Sequence, residues 1–217
     1  MENSFIGNLR AQKWYNADPP RNLSGYLNDK SNRLIGWAIM RQLRVKSELC
    51  VKTDFIDSSC LPDYNLLNED KLSYQPGWTN VTATNQISSF VKKSFVYQSN
   101  ESMDTYIYRG NHGTYGKGGY VYEFRGSLSS LQTNLSQLHE NQWIDNRTRA
   151  VIIQLTLYNP NVQLFTSVTF LAEFLSSSGV YPSSRFEPIS FQSNISLDFS
   201  SLRRSFVFFQ FFHQYFN

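Results

Sequence analysis

The sequence has only two cysteines and three histidines among its 217 residues, and it has no long hydrophobic run. A helix that spans a bilayer needs about 20 consecutive apolar residues. The best apolar run, Phe206 to Phe216, is interrupted by Gln210, His213 and Gln214. The sequence therefore predicts no membrane-spanning helix.

Several classes of function are excluded by what is missing. The histidines are far apart and no H-E-x-x-H or Cys/His cluster occurs, so we predict neither a metal nor a cofactor. Asp54, Asp57 and Asp63 lack the order of a calcium loop and are predicted to be solvated. No serine lies in G-x-S-x-G, and no acid, base and nucleophile share a recognisable spacing, so we predict that the chain is not an enzyme. A net charge of +3 without a basic stripe also argues against nucleic-acid binding.

Asparagine sequons point to an extracytoplasmic address. Chance predicts roughly three or four N-x-S/T triplets at this composition, and the chain has six, headed by Asn22, Asn80, Asn100, Asn134, Asn146 and Asn194. Residues 1–7 nevertheless lack the basic and apolar regions of a signal peptide. The simplest interpretation is a loop or excised domain of a larger membrane protein, with Phe206 onward approaching the next membrane segment.

The two cysteines, Cys50 and Cys60, lie close together in a polar stretch. A disulfide is the simpler interpretation, and closing so short a loop would contribute roughly 2–3 kcal/mol by restricting the unfolded chain. Two free buried thiols are the alternative. The sequons favour the disulfide, because both features belong to an oxidising compartment.

The centre of the chain predicts two long strands joined by a turn. From Ala150 to Tyr158 the residues are mostly β-branched, leucine or aromatic, as in a central strand covered on both faces. Asn159-Pro160-Asn161 is typical of a turn. From Val162 to Phe174 apolar and polar residues alternate, with Glu173 on the polar face, which predicts a half-buried strand.

Other elements follow from spacing. Leucines at helical intervals after Ser127 predict a helix to about Asn141, capped by Ser127 and packed on the sheet. Residues 3–14 predict a short helix. The segment Arg41–Lys46 predicts a strand with Leu43 and Val45 inward and the arginines outward. Pro188 places a strand over residues 186–191 at a sheet edge.

Two segments are predicted to be irregular. Residues from Cys50 to about Gly110 are polar and too long for an ordinary loop, so we expect a projecting lobe pinned by the cysteines. The glycine-rich residues 110–119 lack the spacing of a phosphate loop. They predict a structural loop with glycines at positive φ that leads into a strand from Tyr120 to Phe124.

Short motifs spread over nearly the whole chain resemble the polycystin domain of polycystin channel proteins. The R-Q-L-R segment is formed by Arg41, Gln42, Leu43 and Arg44. The glycine-rich turn has Gly116, Gly118, Gly119 and Tyr120, and the W-L-D-x-x-T-R segment has Trp143, Asp145, Thr148 and Arg149. The later motifs contain Tyr158, Asn159, Asn161, Phe165, Glu173, Phe174 and Pro182. Residues 8–16 resemble the polycystin-1-like and receptor-for-egg-jelly branch.

The resemblance implies a fold. It is an α+β domain over residues 1–198, with an antiparallel sheet of about five strands, helices on one face and a disulfide-tied lobe over about 50–110. Cys60 stands where the family has the disulfide partner of Cys50. Residues 199–217 would be a divergent tail approaching a membrane segment.

The resemblance also implies a function. In the family this domain lies outside the cell between the first two membrane helices, and four copies form a ring above a cation pore that often passes calcium. The channels reside in cilia or at the plasma membrane. The chain would then contribute to assembly with other polycystin-type subunits, to gating or to ligand contact, without a pore of its own. A free-standing secreted binding or adhesion module with the same fold is the alternative.

Overall fold

The computed structural model describes residues 7, 9, 25–49, 59–80, 87–99, 105–176 and 179–190. The strands in these ranges are β1 (Arg33–Arg44), β2 (Glu48–Leu49), β3 (Ser59–Cys60), β4 (Tyr97–Gln98), β5 (Tyr108–Arg109), β6 (Thr114–Tyr115), β7 (Gly119–Glu123), β8 (Thr148–Asn159), β9 (Leu164–Phe174) and β10 (Val180–Ser190). The helices are α1 (Ser89–Lys93) and α2 (Leu128–Glu140).

Six strands form the main sheet in the order β10-β9-β8-β1-β7-β4, and every neighbouring pair is antiparallel. Two short hairpins, β2-β3 and β5-β6, stand apart from it in the described ranges. The antiparallel, sheet-rich fold implied by the resemblance is therefore confirmed, with six strands in place of about five.

The predicted pair of long strands is present as the β8-β9 hairpin. The turn between them begins with a hydrogen bond from Asn161 N to Asn159 Oδ1 of 3.0 Å. Gln163 has a φ of 51°, and β9 begins at the next residue, two positions after Val162. A short polar side chain that bonds its own backbone favours such a turn, which explains why the Asn-Pro-Asn sequence marks it.

The first half of β8 is covered on both faces, as its composition predicts. Val151 and Leu155 join one core cluster, whereas Ala150 and Ile152 join a second cluster. Because successive side chains of a strand point to opposite faces, the two clusters lie on opposite sides of the sheet. The sheet is thus the common wall of two cores.

Helix α2 begins and ends where its sequence predicts. Ser127 caps it by accepting a hydrogen bond from Ser130 N at 3.2 Å. Leu131 and Leu138 are buried in the same cluster as Val151. Helical spacing of four leucines was therefore sufficient to identify both the helix and its buried face.

Strand β1 starts much earlier than the sequence predicts. It begins at Arg33, and its register with β8 shifts between Ile35 and Ile39. Gly36 has a φ of 68° at this irregularity. A bulge of this kind inserts extra residues and breaks the alternation of side chains, which explains why only the segment after it is recognisable in the sequence.

The prediction that the β1 arginines point outward is wrong. Arg41 is 0% exposed and Arg44 is 1% exposed. Gln42 is fully buried as well, so the end of β1 carries three polar side chains into the interior. Their burial is compensated by specific partners, described below, because an unpaired charge is very costly inside a protein.

The predicted lobe over residues 50–110 is too large. Val91 and Phe95 are fully buried in the same core cluster as α2, and Trp78 packs against that cluster. Strand β4 pairs with β7 as a member of the main sheet. These parts of the segment belong to the core, because its few apolar residues are buried in α1 at Val91 and in the turn after it at Phe95.

The glycine loop also differs from its prediction. Within residues 110–119 only Gly119 has a positive φ, of 142°. Two of the others lie where a side chain has no room: a Cβ at Gly110 would come within 2.9 Å of Leu171 Cδ2, and one at Gly118 within 3.0 Å of Gln98 O. Close approach of other chain segments, and not backbone conformation, therefore requires Gly110 and Gly118.

Strand β10 lies at an edge of the main sheet, as Pro188 predicts. Its second proline, Pro182, pairs with Ala172 in register. The two prolines are six residues apart, so their ring nitrogens point to the same side of the strand. Both positions lack an N–H donor, which blunts this edge against pairing with another strand.

The predicted glycosylation sites differ in exposure. Asn134 lies on α2 and is 6% exposed. Asn80 and Asn146 are exposed. The sequons at Asn22, Asn100 and Asn194 lie outside the described residues.

Some predictions fall on parts of the chain that the structure does not describe. They concern the helix over residues 3–14, the tail over residues 199–217, and the pairing of Cys50. Backbone pairing of β2 with β3 places Glu48 opposite Cys60, two residues before Cys50 in the sequence. The disulfide stays a prediction.

Among the residues that the structure describes, Trp143 has the largest fully buried side chain, at 1% exposure, and its indole N–H donates to Ser94 O at 2.9 Å. Replacing it with alanine should lower the free energy of unfolding by about 3–5 kcal/mol, because a large cavity and an unpaired carbonyl remain. Urea unfolding of the whole chain measures this change. The control is Ile144→Ala, whose side chain is 47% exposed and whose loss should cost less than about 1 kcal/mol. Equal effects of the two variants would contradict the packing described here.

Candidate functional site

Arg44 is the centre of a buried polar network. Its Nη2 donates to Asp145 Oδ2 at 2.6 Å and its Nε to Asp145 Oδ1 at 3.3 Å. Asp70 lies 3.7 Å from its Nη1, and the ring of Trp78 lies 3.4 Å from its Cζ. Two carboxylates and an aromatic face together offset the loss of water around one guanidinium.

Asp145 is held in place by its own turn. Arg147 N donates to its Oδ1 at 3.2 Å, and the Thr148 hydroxyl donates to the same oxygen at 3.1 Å. That hydroxyl accepts from Asp145 N at 3.0 Å and from Gln42 Nε2. The turn formed by the W-I-D-x-x-T-R segment therefore orients the Asp145 carboxylate to bind Arg44 of β1.

Arg41, on the opposite face of β1, binds the glycine loop. Its Nη1 donates to the carbonyls of Gly116 at 2.6 Å, Lys117 at 2.9 Å and Gly118 at 3.3 Å. A Cβ at Gly119 would lie 2.7 Å from Gln42 O, so only glycine lets the loop come this close. Burial lowers the pKa of Arg41, although a guanidinium stays protonated at any physiological pH.

Arg149 ties the start of β8 to residues 61–62. Its Nε donates to Pro62 O at 2.9 Å and its Nη2 to Leu61 O at 3.0 Å, and its Nη1 donates to Asn146 O at 2.9 Å. A planar group with five donors can bridge several carbonyls at once. Arg149 thereby holds residues 61–62, which follow β3, against the main sheet.

Glu173 is buried at 1% exposure although it lies on the polar side of its alternating strand. It accepts from the Tyr115 hydroxyl at 2.7 Å, from His112 N at 2.8 Å and from Asn111 N at 3.1 Å. Burial alone raises the pKa of this carboxyl, but these hydrogen bonds outweigh burial, so its pKa lies below the usual range. Glu173 fastens the loop between β5 and β6 to β9.

Glu69 has the opposite environment. Burial raises its pKa, and the partial compensation from Lys71 and the hydroxyls of Tyr97 and Tyr64 does not cancel that effect. The Tyr97 hydroxyl donates to Glu69 Oε1 at 3.2 Å, and Tyr64 OH accepts from Gly116 N at 3.1 Å. Tyr64 thus joins the segment after Cys60 to the glycine loop, and Glu69 joins the same segment to β4.

The sequence-predicted motif residues fall into two groups. Those in the network are Arg41, Gln42, Arg44, Gly116, Gly118, Asp145, Thr148, Arg149 and Glu173. The others shape the frame: Leu43, Tyr120, Trp143 and Phe174 lie in the two cores, Tyr158 and Phe165 stack at 4.5 Å beside the hairpin turn, and Pro182 lies on the edge strand.

Sequence reasoning missed Asp70, Glu69 and Trp78. They lie in a polar stretch that the sequence predicts to be solvated, and no local pattern distinguishes them from exposed residues. The only available indication was that buried arginines need nearby carboxylates, which requires knowing that the β1 arginines are buried. Asp63, by contrast, is exposed as predicted, and Asp54 and Asp57 lie outside the described residues.

The arrangement of these groups is one for holding segments together. A shallow depression of about 420 Å³ between α1 and α2 is lined by Ser88, Phe90, Arg125, Gly126 and four polar residues of α2, Ser129, Ser130, Thr133 and Asn134. Within the described ranges, no three His, Cys, Asp or Glu residues come together as metal ligands. Neither described helix has the length and apolar content that a bilayer span requires.

An interior strand of the antiparallel sheet buries two arginines, and each arginine binds a distant loop. The protein is therefore a β-rich domain organised by buried polar contacts. Residues 1–192 match the family described as Polycystin domain. The chain belongs to the polycystin domain family, as the motifs predict.

Curated relatives agree with this family. The chain is 33% identical over 192 residues to Polycystin-2 of Danio rerio, which covers 87% of the chain and 20% of that protein. It is 31% identical over 173 residues to Location of vulva defective 1 of Caenorhabditis elegans, covering 77% and 5%. It is 31% identical over 159 residues to Polycystin family receptor for egg jelly of Homo sapiens, covering 68% and 7%. The chain therefore spans a fifth or less of each of these relatives.

Removing one member of the Arg44 network should be costly. Asp145→Asn leaves the guanidinium without its closest carboxylate, and we expect the free energy of unfolding to fall by about 3–5 kcal/mol, as for other broken buried pairs. Denaturant unfolding of the whole chain checks this. Arg185→Gln is the control, because it breaks an ion pair with Glu187 that is about half exposed and worth less than about 1 kcal/mol. Similar losses in both variants would contradict the proposed centre.

The two buried glutamates should give opposite pH dependences. The lowered pKa of Glu173 means that its stabilisation is present above the unfolded value of about 4.3 and is lost as the pH falls below it. The raised pKa of Glu69 means that stability decreases as the pH rises above about 4.3. Glu173→Gln should therefore flatten the acid-side loss of stability, and Glu69→Gln should make stability rise more steeply with pH. Urea midpoints measured from pH 3 to pH 7 test both, and parallel profiles for the two variants would be inconsistent with these environments.

Proposed function

We propose that the chain is the extracellular domain of a polycystin-type cation channel or receptor subunit, and that it contributes to subunit assembly, gating or ligand sensing above the pore. Membership of the polycystin domain family and relatives named as Polycystin-2 and as a receptor for egg jelly support this proposal. In the parent protein the domain would lie on the outer face of the plasma or ciliary membrane, with other polycystin-type subunits as partners.

One observation carries the proposal most directly. The matched motif residues converge on contacts that bind residues 59–80 and 105–119 to the sheet, through Arg44, Arg41 and Arg149. Such contacts hold loops in a fixed orientation, which a domain that meets other subunits requires, because preformed surfaces lose less entropy on binding.

Residues 65–68 form the best candidate contact on these ordered loops. The side chain of Asn65 accepts from Leu67 N at 2.8 Å and from Asn68 N at 2.9 Å, and Asn68 Oδ1 accepts from Asn65 N at 2.9 Å. This turn displays Leu66 at 48% exposure and Leu67 at 92% exposure. We name the pair Leu66 and Leu67 the leucine tip.

The base of the leucine tip is immobilised. Lys46 N donates to Asn68 O at 2.9 Å and Asp70 N donates to Arg44 O at 2.8 Å. Asn68 and Asp70 are buried, so the segment that follows the turn is anchored against residues 44–46. An apolar anchor on a rigid support is the typical form of an interface hot spot, and we assign the leucine tip to contact with a neighbouring polycystin-type subunit.

The test uses two differently tagged copies of a full-length subunit that carries this domain. Replacing Leu67 with serine should reduce their co-purification by ~10-fold, since burying a leucine contributes about 1.5–3 kcal/mol. Val162→Ser is the matched control, because Val162 is 65% exposed on the hairpin turn far along the sheet. Unchanged co-purification of the Leu67 variant would remove the leucine tip from the interface.

The isolated 217-residue chain should be monomeric at micromolar concentration. Two leucines give a small interface, and small interfaces bind weakly unless membrane segments raise the effective concentration. Light scattering measures the mass. A stable tetramer of the isolated chain would show that a larger surface drives assembly. Spanning segments on both sides of the domain in its parent reading frame would favour the channel subunit over a free-standing module.

A further inference from the structure

The side chain of Arg41 is fully buried, but only part of it is hydrogen-bonded. Its Nη1 donates to the three carbonyls of the glycine loop, whereas its Nε and Nη2 have no hydrogen-bond partner among the described residues. A guanidinium has five N–H donors, and three of them belong to Nε and Nη2. Buried donors of a charged group are costly unless an acceptor binds them. The structure therefore points to a further group at this side of Arg41.

The charge of Arg41 indicates what kind of group this is. On the same strand, the guanidinium of Arg44 is 2.6 Å from a carboxylate oxygen of Asp145 and 3.7 Å from one of Asp70. The acceptors that Arg41 has among the described residues are neutral carbonyls. A water molecule would satisfy the donors of Arg41 but would leave its charge unpaired, which is very costly inside a protein. An anion satisfies both requirements.

Glu69 is the carboxyl group that interacts with the charge of Arg41 from nearby. Its Oε1 accepts from the Tyr97 hydroxyl at 3.2 Å, and its Oε2 lies 3.8 Å from Lys71 Nζ. Burial raises the pKa of Glu69, so its neutral form is more easily populated than that of an exposed glutamate. When Glu69 is neutral, a bound anion is the remaining source of negative charge for Arg41 among the described groups.

The surroundings of Arg41 favour a very small anion. The guanidinium is 0% exposed. Tyr64, Tyr97 and Tyr106 lie around it, and a polyatomic anion would have to displace these rings. A halide ion occupies a space similar to that of a buried water molecule, for which folded proteins regularly have room. Chloride is the halide that biological fluids supply.

We infer that Arg41 binds a buried chloride ion through Nε and Nη2, and that this ion competes with the ionised carboxylate of Glu69. The ion takes the place of water around the half of the guanidinium that the glycine loop does not reach. The site belongs to the domain itself, so the inference does not depend on the proposed function.

The chloride site is connected to the leucine tip. Arg41 donates to Gly116 O at 2.6 Å, and Gly116 N donates to the Tyr64 hydroxyl at 3.1 Å. Tyr64 directly precedes the turn of residues 65–68, and a Cβ at Gly116 would lie 3.3 Å from Leu66 Cδ2. An ion that holds Arg41 in place therefore also stabilises the loop against which the leucine tip packs.

Crystals of the 217-residue chain grown in sodium bromide give a direct test, because bromide scatters X-rays anomalously and marks halide sites. We expect an anomalous peak in contact with Arg41 Nε or Nη2. A water molecule at this position, or bromide on the protein surface only, would overturn the assignment of the site.

Urea unfolding of the same chain measures binding in solution. Replacing sodium gluconate with sodium chloride at constant ionic strength should raise the ratio of folded to unfolded chain ~10-fold, as for a ligand present at about ten times its Kd. The gain should saturate as chloride increases, whereas a general effect of salt on apolar burial does not saturate. Equal stability in the two salts would contradict the inference.

Glu69→Gln tests the competition and leaves Arg41 in place. The charged or titratable groups that face Glu69 are Lys71, Tyr97, Tyr64 and Arg41. None of these four changes its charge between pH 5 and pH 7, so Glu69 is the group that titrates. In the parent chain the chloride-induced gain should be larger at pH 5 than at pH 7, because protonation removes the competing charge. In the variant the gain at pH 7 should be ~3-fold larger than in the parent and independent of pH in this range.

The matched control is Glu173→Gln, which makes the same change at a carboxyl that is 1% exposed and binds His112 and Tyr115. It should leave the chloride-induced gain as in the parent. Equal gains in the two variants would show that Glu69 does not compete with the ion. Arg41→Gln should abolish the gain, and if this variant does not fold, the bromide position and the pair of glutamate variants still decide the question.

Discussion

The burial of two guanidinium groups at the end of β1 is the constraint on which the rest of this structure depends. Arg41 and Arg44 are inside the protein, on opposite faces of the same strand. An ion removed from water is tolerated only when charges or hydrogen bonds replace its hydration. Each arginine therefore requires that distant parts of the chain arrive at fixed positions before the sheet can close.

The two arginines meet this requirement by different means. Arg44 is neutralised by the carboxylates of Asp70 and Asp145 and covered by Trp78. Arg41 is solvated by consecutive backbone carbonyls of the glycine loop. Charge pairing fixes a partner side chain, whereas carbonyl solvation fixes the path of a backbone. Together they orient the loops relative to the sheet, and this is the property that an assembly domain needs.

Two buried glutamates also depend on partners that replace their hydration, but their pKa values shift in opposite directions. Glu173 receives two backbone N–H groups and a tyrosine hydroxyl, so its charged form is favoured. Glu69 is also buried, and its partners do not cancel the effect of burial, so the pKa of its carboxyl is raised. The number of donors around a buried carboxylate, and not its burial alone, decides which form the fold stabilises. The loop contacts made by Glu173 and Glu69 thus differ in pH sensitivity.

Local sequence determined the elements whose stabilisation is local. The β-branched run of β8, the leucine spacing of α2, the Asn-Pro-Asn turn and the edge proline Pro188 were all predictable, because periodicity and turn preference act over a few residues. The family was equally evident, since its motifs are short and specific. Tertiary structure alone decided that Arg41, Arg44 and Glu173 are buried and that α1 belongs to the core. Arg44 meets Asp145 across 101 residues and Arg41 meets Gly116 across 75. Whether a charged residue lies inside depends on partners that far away, and no local pattern of side chains contains that information.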